Sequence, residues 1–324
     1  MFITYYSDDG PQKPSISTYK LGQALPPQHW YQKRVGWFGR TITTSLMVGL
    51  IVFAAGSTMT VSNNKKTFAA QASQAASLEK TKSTISSNPN LENIVDIQSV
   101  LDQWNTEHKG QKWAVVAKSL SGASFDARLN ADQQFESASI YKLFLTLPLF
   151  NQIPVEQQAK TSLNTSSGKK TIATCVDLML RVSNNECGEA VGGYLNWTKA
   201  TNQLKQKGYT HTDFTKSEFK TSAGDTAAFL EALNGTMLPP AARDTIMKSL
   251  YQQRYRDGIP AGCPGCTVAN KTGQVDNVTH DAAIVQYKGG TYILVILSGN
   301  GSANFKQISQ LTGRIQQKIL DATQ

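Results

Sequence analysis

Two apolar runs in the last part of the chain place the strongest constraint on its fold. Residues 282–285 and 291–297 are rich in β-branched and other apolar side chains, and Gly289 and Gly290 lie between them. Runs of this kind joined at Gly-Gly are typical of an antiparallel β-hairpin. The sequence therefore predicts an antiparallel sheet in this region.

A Lys-Thr-Gly motif, Lys271-Thr272-Gly273, precedes the hairpin and occurs once in the chain. An inner strand bearing Lys271 and Thr272 would offer a cation and a hydroxyl group to the carboxylate of a substrate. Gly273 would leave room for the substrate to lie along the strand. The alternative is a charged edge strand with a glycine bulge and no part in binding.

A Ser-x-x-Lys motif runs from Ser139 to Lys142. It begins a predicted buried helix, because Phe135 precedes it and the apolar run 143–147 follows it. Residues i and i+3 share one face of a helix, so the amine of Lys142 would reach the hydroxyl of Ser139. An amine desolvated in such a pocket loses its proton near neutral pH and acts as a base. We therefore predict Ser139 as a nucleophile and Lys142 as its base.

A third motif, Ser183-Asn184-Asn185, lies at a predicted turn between two helical stretches. Ser and Asn side chains make local hydrogen bonds that hold such turns, so an ordinary turn is one interpretation. The position of the motif after Ser139 favours a catalytic turn, in which Ser183 passes a proton to a leaving nitrogen.

In this order the three motifs resemble the active site of class A β-lactamases and penicillin-binding proteins, the penicillin-recognising acyl-serine transferases. The resemblance covers roughly residues 93–324. It implies an oxyanion hole formed by the backbone N–H groups of Ser139 and Gln274. No cofactor and no metal are expected. The residues that the resemblance makes catalytic are Ser139, Lys142 and Ser183, and those that it makes substrate-binding are Asn185, Lys271, Thr272 and Gly273.

The order of the predicted elements, with strands first, helices in the middle and strands last, fits an α+β fold or α/β sandwich. A helix is predicted from Leu91 through Trp104, and a strand over 113–117 follows it. The resemblance implies a more specific architecture. It is an antiparallel sheet flanked by helices, plus a helical lobe, with the active site between sheet and lobe.

Two departures from the class A pattern affect the mechanism. In those enzymes a Glu in a long loop holds the water that hydrolyses the acyl-enzyme. The corresponding stretch here, 210–220, is short and lacks the Glu-x-x-Leu-Asn pattern. Its carboxylates are Glu218 and Asp213. Either could act as the deacylation base, with Glu218 as the first candidate, but a solvated loop charge is the preferred interpretation of both. Asn184 stands where the family pattern has Asp, which removes a charge while keeping a plausible turn.

Three functions are open on this basis. The first choice is a hydrolase that opens β-lactams through an acyl-enzyme on Ser139. The second is a D-alanyl-D-alanine carboxypeptidase, a penicillin-binding protein that acts on peptidoglycan stem peptides and does not need the loop Glu. The third is a non-enzymatic sensor of β-lactams or the cell wall, in which the acyl-enzyme persists. The tail at 1–40 is too short for a catalytic signalling domain, which disfavours the sensor.

The segment 41–61 is predicted to be a transmembrane anchor, because it carries no charge and has an apolar centre. Lys33, Arg34 and Arg40 precede it. By the positive-inside rule they predict that the preceding residues form a cytoplasmic tail. An internal signal sequence that is cleaved is the alternative.

Residues 62–92 are rich in Ser, Ala, Gln, Asn and Lys, and they are predicted to be a flexible linker. The serine hydrolase domain would then span 93–324 and lie outside the cell, tethered to the membrane. The chain has a formal net charge of +9 but no cluster of basic and aromatic residues, which excludes a nucleic-acid surface. We expect a monomer whose partners are its substrate and the membrane.

The chain has four cysteines, which suits an oxidising compartment. Cys175 and Cys187 flank the turn at Ser183, so a disulfide between them would brace it. Cys263 and Cys266 lie just before the Lys-Thr-Gly motif. The sequence leaves three pairings open, and local disulfides are preferred to a redox pair or a zinc site.

His280 is the histidine closest to the Lys-Thr-Gly motif in the sequence. The chain contains neither a G-x-S-x-G nor an H-E-x-x-H pattern, so a Ser-His-Asp triad and a zinc protease site are not indicated. The strand bearing His280 would either project it towards the substrate or pack it beside the sheet.

Overall fold

The computed structural model describes residues 2–7, 15–20, 94–300 and 304–323. The chain divides into two compact units, Met1–Ser73 and Gln74–Gln324. In the first unit, strands β1 (Phe2–Ser7) and β2 (Ser15–Lys20) pair in antiparallel fashion. The predicted anchor and linker lie outside the described residues. Among the helices that are described, none has the length and apolar character needed to cross a membrane.

The second unit contains strands and helices in the mixed order that the sequence predicts. Its strands are β3 (Lys112–Ser121), β4 (Asp126–Leu129), β5 (Phe135–Glu136), β6 (Ser162–Thr165), β7 (Gly168–Thr171), β8 (Lys220–Thr221), β9 (Thr267–Val275), β10 (Val278–Tyr287) and β11 (Gly290–Gly299). Its helices are α1 (Gln98–Glu107), α2 (Tyr141–Phe144), α3 (Thr146–Gln152), α4 (Val155–Gln158), α5 (Ile172–Arg181), α6 (Asn185–Leu195), α7 (Trp197–Gln206), α8 (Ala223–Asn234), α9 (Pro240–Tyr251), α10 (Ile259–Gly262) and α11 (Phe305–Asp321).

Five strands form one antiparallel sheet in the order β4-β3-β11-β10-β9. Strands β10 and β11 form the hairpin that was predicted at Gly289 and Gly290. The last pair before its turn is Tyr287 with Gly290. The prediction that Lys271 lies on an inner strand is wrong, because β9 is an edge strand of this sheet. An edge strand leaves one row of backbone groups unpaired within the sheet, so it can receive an extended ligand.

The sheet separates two hydrophobic cores. Helices α1 and α11 cover one face, where Leu294 and Ile296 of β11 are buried. The helices of the lobe cover the other face, where Ile293 and Val295 are buried. Because successive side chains of a strand point to opposite faces, a strand covered on both sides is an unbroken apolar run, which explains the composition of β11.

Helix α1 begins later than predicted, at Gln98 rather than at Leu91. The backbone N–H of Val95 donates to the carbonyl of Ser124 at 2.9 Å, which ties the preceding residues to the β3–β4 connection. The carboxylate of Asp96 then accepts the N–H of Ser99 at 3.1 Å and favours a helix start at this point. Apolar periodicity gave no sign of these tertiary contacts.

Candidate active site

Ser139 lies in a 3-10 turn, Ala138–Ile140, that leads directly into helix α2. Ala138 has a φ of +43°, a left-handed conformation that is rare for a residue with a side chain. The turn packs closely against the edge strand: a Cβ atom on Gly273 would lie 3.2 Å from the Cβ of Ala138 and from the carbonyl oxygen of Ser137. Strain of this kind persists where the surroundings enforce it, and it is concentrated at functional sites.

Lys142 is fully buried, and its amine lies among three oxygen atoms. Its Nζ is 2.9 Å from Oγ of Ser139, 2.6 Å from the carbonyl oxygen of Ser183 and 2.6 Å from Oδ1 of Asn185. Burial lowers the pKa of Lys142 to about 7, against an opposing effect of the Glu189 carboxylate. A substantial fraction of this amine is therefore neutral at neutral pH and able to accept the Ser139 proton.

Ser183 connects the two lysines of the site. Its carbonyl oxygen accepts from Lys142, and its Oγ accepts from Nζ of Lys271 at 2.9 Å. Its φ of +61° is left-handed, and this backbone conformation accompanies the sharp turn between α5 and α6. The neighbouring Asn184 caps α6, because its Oδ1 accepts the N–H of Cys187 at 2.9 Å. Asn in place of Asp therefore keeps the capping function without the charge.

Lys271 is fully buried on β9. Its amine also donates to the carbonyl oxygen of Thr272 at 2.7 Å. Burial, and secondarily the proximity of Lys142, hold the pKa of Lys271 well below its ordinary value, while Asp281 acts in the opposite direction. A bound carboxylate would favour the charged form of this amine, which suits the predicted role of Lys271 as an anion ligand.

The remaining predicted ligands lie along the same edge strand. Thr272 is buried, and Gln274 is exposed on β9. The roles of Thr272 in binding the substrate and of Gln274 in the oxyanion hole stay predictions. The site thus brings together Ser139, Lys142, Ser183, Asn185 and Lys271 by hydrogen bonds.

His280 packs beneath the site rather than into the cleft. It is fully buried, and its Nε2 lies 2.7 Å from the carbonyl oxygen of Glu136. Its Nδ1 lies 3.2 Å from the backbone N of Ser298. A carbonyl can only accept and an N–H can only donate, so these partners select the neutral ring with the proton on Nε2. Burial lowers the pKa of His280 to about 4, which keeps the ring neutral.

A second buried polar cluster supports β9 next to Lys271. The Asp281 carboxylate accepts the side-chain amide of Asn270 at 2.9 Å and the backbone N–H of Ile259 at 2.8 Å. Arg256 in turn donates to Oδ1 of Asn270 at 3.0 Å. Burial raises the pKa of Asp281 to about 6, although these hydrogen bonds favour the ionised form. The cluster fixes the strand position immediately before Lys271.

The loop carboxylates are engaged elsewhere. Glu218 has a side chain that is 62% exposed and forms an ion pair with Lys220 at 2.7 Å. Asp213 is not the solvated charge that the sequence suggests: it is buried and pairs with Lys205 at 3.1 Å. Burial disfavours its ionisation, but hydrogen bonds from Thr215 and Lys205 outweigh this and lower the pKa of Asp213 to about 2. In the described structure, neither carboxylate has a hydrogen bond or ion pair to Ser139 or Lys142.

Two residues of α6 that act on Lys142 were not predicted from the sequence. Gly188 lies on α6 against Lys142, where a Cβ atom would be 2.8 Å from Cε of the lysine. Glu189 is the carboxylate that acts on the charge of Lys142. A signal for both existed, since they follow Asn185 at helical spacings of three and four residues.

Both disulfides are local, as preferred. Cys175 pairs with Cys187 across the Ser183 turn, and Cys263 pairs with Cys266 before β9. The first disulfide joins α5 to α6 and so braces the turn that positions Ser183. Within the part of the chain that the structure describes, no group of three or more His, Cys, Asp and Glu side chains is arranged to hold a metal ion.

An antiparallel sheet with a Ser-x-x-Lys turn packed against a Lys-Thr-Gly edge strand defines the class of penicillin-recognising serine hydrolases. Residues 95–323 match the model of the family described as the Beta-lactamase enzyme family. The chain belongs to this family, and its fold is that of β-lactamase-like and penicillin-binding-protein-like serine hydrolases.

Solved structures show the same fold at low sequence identity. A point mutant of PBP-A, described as an acyl-enzyme complex with penicillin G, is 18% identical with a TM-score of 0.60; the match covers 70% of this chain and 96% of that one. A β-lactamase from Sphaerobacter thermophilus is 18% identical with a TM-score of 0.59, covering 71% of this chain and 97% of the other. PBP-A itself matches with a TM-score of 0.60. A sequence search of curated proteins found no match.

Proposed function

We propose that this protein is a serine acyl hydrolase that opens β-lactams through a covalent acyl-enzyme on Ser139. The observation on which the proposal depends is the buried Lys142 amine, which lies 2.9 Å from Oγ of Ser139 and has a pKa of about 7. A neutral amine in this position accepts the hydroxyl proton while Oγ attacks the lactam carbonyl carbon. The hydroxyl is thereby activated without a histidine.

The lactam C–N bond then breaks, and its nitrogen needs a proton. Ser183 would donate it, a role supported by the position of its Oγ in the site, 2.9 Å from Nζ of Lys271. Nζ of Lys271 donates to Oγ of Ser183 at 2.9 Å, so this amine would supply the proton that replaces the one given up. Lys271 also offers a cation to the substrate carboxylate, and its position on the edge strand leaves room for an extended substrate.

The same acylation chemistry suits a second function, a D-alanyl-D-alanine carboxypeptidase. One observation favours it: Glu218 is exposed and pairs with Lys220, so the loop does not supply a carboxylate to the acyl-enzyme in the class A manner. The solved structures of this fold include a PBP-A mutant in an acyl-enzyme complex with penicillin G and a β-lactamase from Sphaerobacter thermophilus, which supports acylation by β-lactams under either function.

Membrane attachment is part of the proposal and depends on sequence alone. The uncharged segment 41–61 would anchor the chain, with Lys33, Arg34 and Arg40 on the cytoplasmic side. The catalytic domain would then face peptidoglycan and incoming antibiotics as a monomer. A protease-protection assay on intact cells tests this: cleavage of the domain from outside is expected, and its complete protection would contradict the orientation.

The function is tested by covalent labelling of the full-length protein with a fluorescent penicillin. The wild type should be labelled, and Ser139→Ala should not be labelled while keeping its unfolding temperature. Release of the label with turnover indicates a β-lactamase, and a label that lasts for hours indicates a peptidase or sensor. Labelling of Ser139→Ala to the wild-type level would refute the nucleophile assignment.

A further inference from the structure

Hydrolysis of an acyl-enzyme requires a group that removes a proton from the attacking water. The inference rests on the proposed function, because this group would act in the release of the acyl group from Ser139. The loop between α7 and α8 does not provide this group through the carboxylates considered from sequence. Glu218 pairs with Lys220, and Asp213 pairs with Lys205. A base, if present, must come from another element near Lys142.

Helix α6 presents one face to Lys142. Asn185 begins this helix and accepts a hydrogen bond from the lysine amine at 2.6 Å. Gly188 lies against the lysine stem, since a Cβ atom there would be 2.8 Å from Cε. Glu189 is four residues after Asn185 and therefore lies on the same face, one turn further along. The Cα–Cβ bonds of a helix tilt towards its N-terminus, which for Glu189 is the direction of Asn185, the residue that contacts the Lys142 amine.

The electrostatics agree with this placement. Glu189 opposes the effect of burial on Lys142, which agrees with a carboxylate on the side of α6 that faces the lysine. Its neighbour Glu186 is on the same helix but points elsewhere: its Oε2 accepts a hydrogen bond from Oγ of Ser167 at 2.5 Å and lies 3.8 Å from Nζ of Lys170. Two glutamates on one helix thus have different partners, and only the second acts on the catalytic lysine.

We propose that Glu189 is the general base that hydrolyses the acyl-enzyme. Its carboxylate takes one proton from a water molecule, whose oxygen attacks the ester carbonyl carbon of the acylated Ser139. The tetrahedral intermediate collapses with cleavage of the carbon–Oγ bond, and Oγ receives the proton that Glu189 took from the water. The product leaves as a free acid, and the balance requires only water. Helix α6 would thereby supply the carboxylate that the short loop does not bring to the site.

The test separates labelling from release in full-length protein. Glu189→Gln should acquire the fluorescent penicillin on Ser139, while release should slow by about 10²-fold or more, the usual contribution of a general base. Glu189→Asp keeps the carboxylate on a shorter stem and should retain part of the release rate. Glu186→Gln is the matched control: it makes the same change one turn earlier on α6 and should release at the wild-type rate.

The outcomes distinguish this inference from the proposed function. Wild type that does not label at all refutes the proposed function. Wild type that labels but never releases refutes the inference alone, as does release at the wild-type rate by Glu189→Gln. Glu189→Gln and Glu189→Asp that both fail to label would assign Glu189 to the support of Lys142 and would also overturn the inference. Slow release by Glu218→Gln, with normal release by Glu189→Gln, would show that the general base is Glu218 in the loop and would overturn the inference.

Discussion

A Cβ atom on Gly188 would lie 2.8 Å from Cε of Lys142, so helix α6 touches the stem of the proposed base at this glycine. The same atom would lie 2.6 Å from the hydroxyl oxygen of Tyr141. Contacts this short cannot be accommodated without displacing one of the neighbours. The position of the Lys142 amine therefore depends on the absence of a side chain at residue 188.

Gly188→Ala is predicted to reduce the rate of Ser139 acylation by roughly 10- to 100-fold, because displacement of a catalytic group by about 1 Å has effects of this size. Stopped-flow labelling with a fluorescent penicillin measures the rate. Gly193→Ala on the same helix is the control, since a Cβ atom there would meet nothing within 4 Å. It should label normally and gain roughly 0.5–1 kcal/mol of stability from helix propensity. Equal rates in the two variants would contradict the prediction.

Acylation should depend on pH through Lys142. Burial lowers its pKa to about 7, and only the neutral amine accepts the Ser139 proton. The acylation rate constant should therefore rise with pH and approach a plateau above a midpoint near 7. Because Glu189 favours the charged amine, Glu189→Gln should move this midpoint to lower pH. A rate that is constant from pH 5 to pH 9 would exclude Lys142 as the base.

The disulfide between Cys175 and Cys187 should stabilise both the fold and the Ser183 turn. It closes a sequence separation of 12 residues, for which the loop-entropy model gives about 3 kcal/mol. The double variant Cys175→Ala/Cys187→Ala should lose about this much free energy of unfolding in urea and should also acylate more slowly.

The second disulfide provides the control for this effect. Cys263 and Cys266 are separated by 3 residues, for which the same model gives about 1.5 kcal/mol. Cys263→Ser/Cys266→Ser should therefore be less destabilised and should keep its acylation rate. A larger loss of stability in this variant than in the first would contradict the assignment of the Cys175–Cys187 disulfide as the one that stabilises the fold and the Ser183 turn.

His280 should make the fold sensitive to acid. Its pKa is about 4 in the folded protein and 6.5 in the unfolded chain, so the unfolded state binds the proton first. Stability is thus unaffected above pH 6.5 and declines as the pH falls towards 4, by up to about 3 kcal/mol. Urea unfolding at several pH values should show this decline.

His280→Gln should lack the His280 contribution, since an amide can replace both hydrogen bonds without titrating. Asp281 acts in the opposite direction, because its raised pKa of about 6 favours the folded state as the pH falls. It is present in both proteins, so the difference between their pH profiles isolates His280. Parallel profiles would show that His280 does not cause the acid sensitivity.

Local patterns predicted a large part of the fold correctly. The hairpin at Gly289 and Gly290 and the turn at Ser183 were predicted because each depends on residues close together in the chain. The reach from Lys142 to Ser139 follows from helical spacing, and it was confirmed at 2.9 Å. Signals of this kind involve short separations, where backbone geometry limits the possible arrangements.

The sequence by itself predicted the motifs that come together in the candidate site and most of the elements that hold them. Tertiary structure alone decided that β9 is an edge strand, that His280 is buried under Glu136, and that Glu218 pairs with Lys220 rather than with the site. It also decided that α6 packs against Lys142 at Gly188. These outcomes depend on packing between segments far apart in the chain, and burial sets both the contacts and the pKa values of the groups involved.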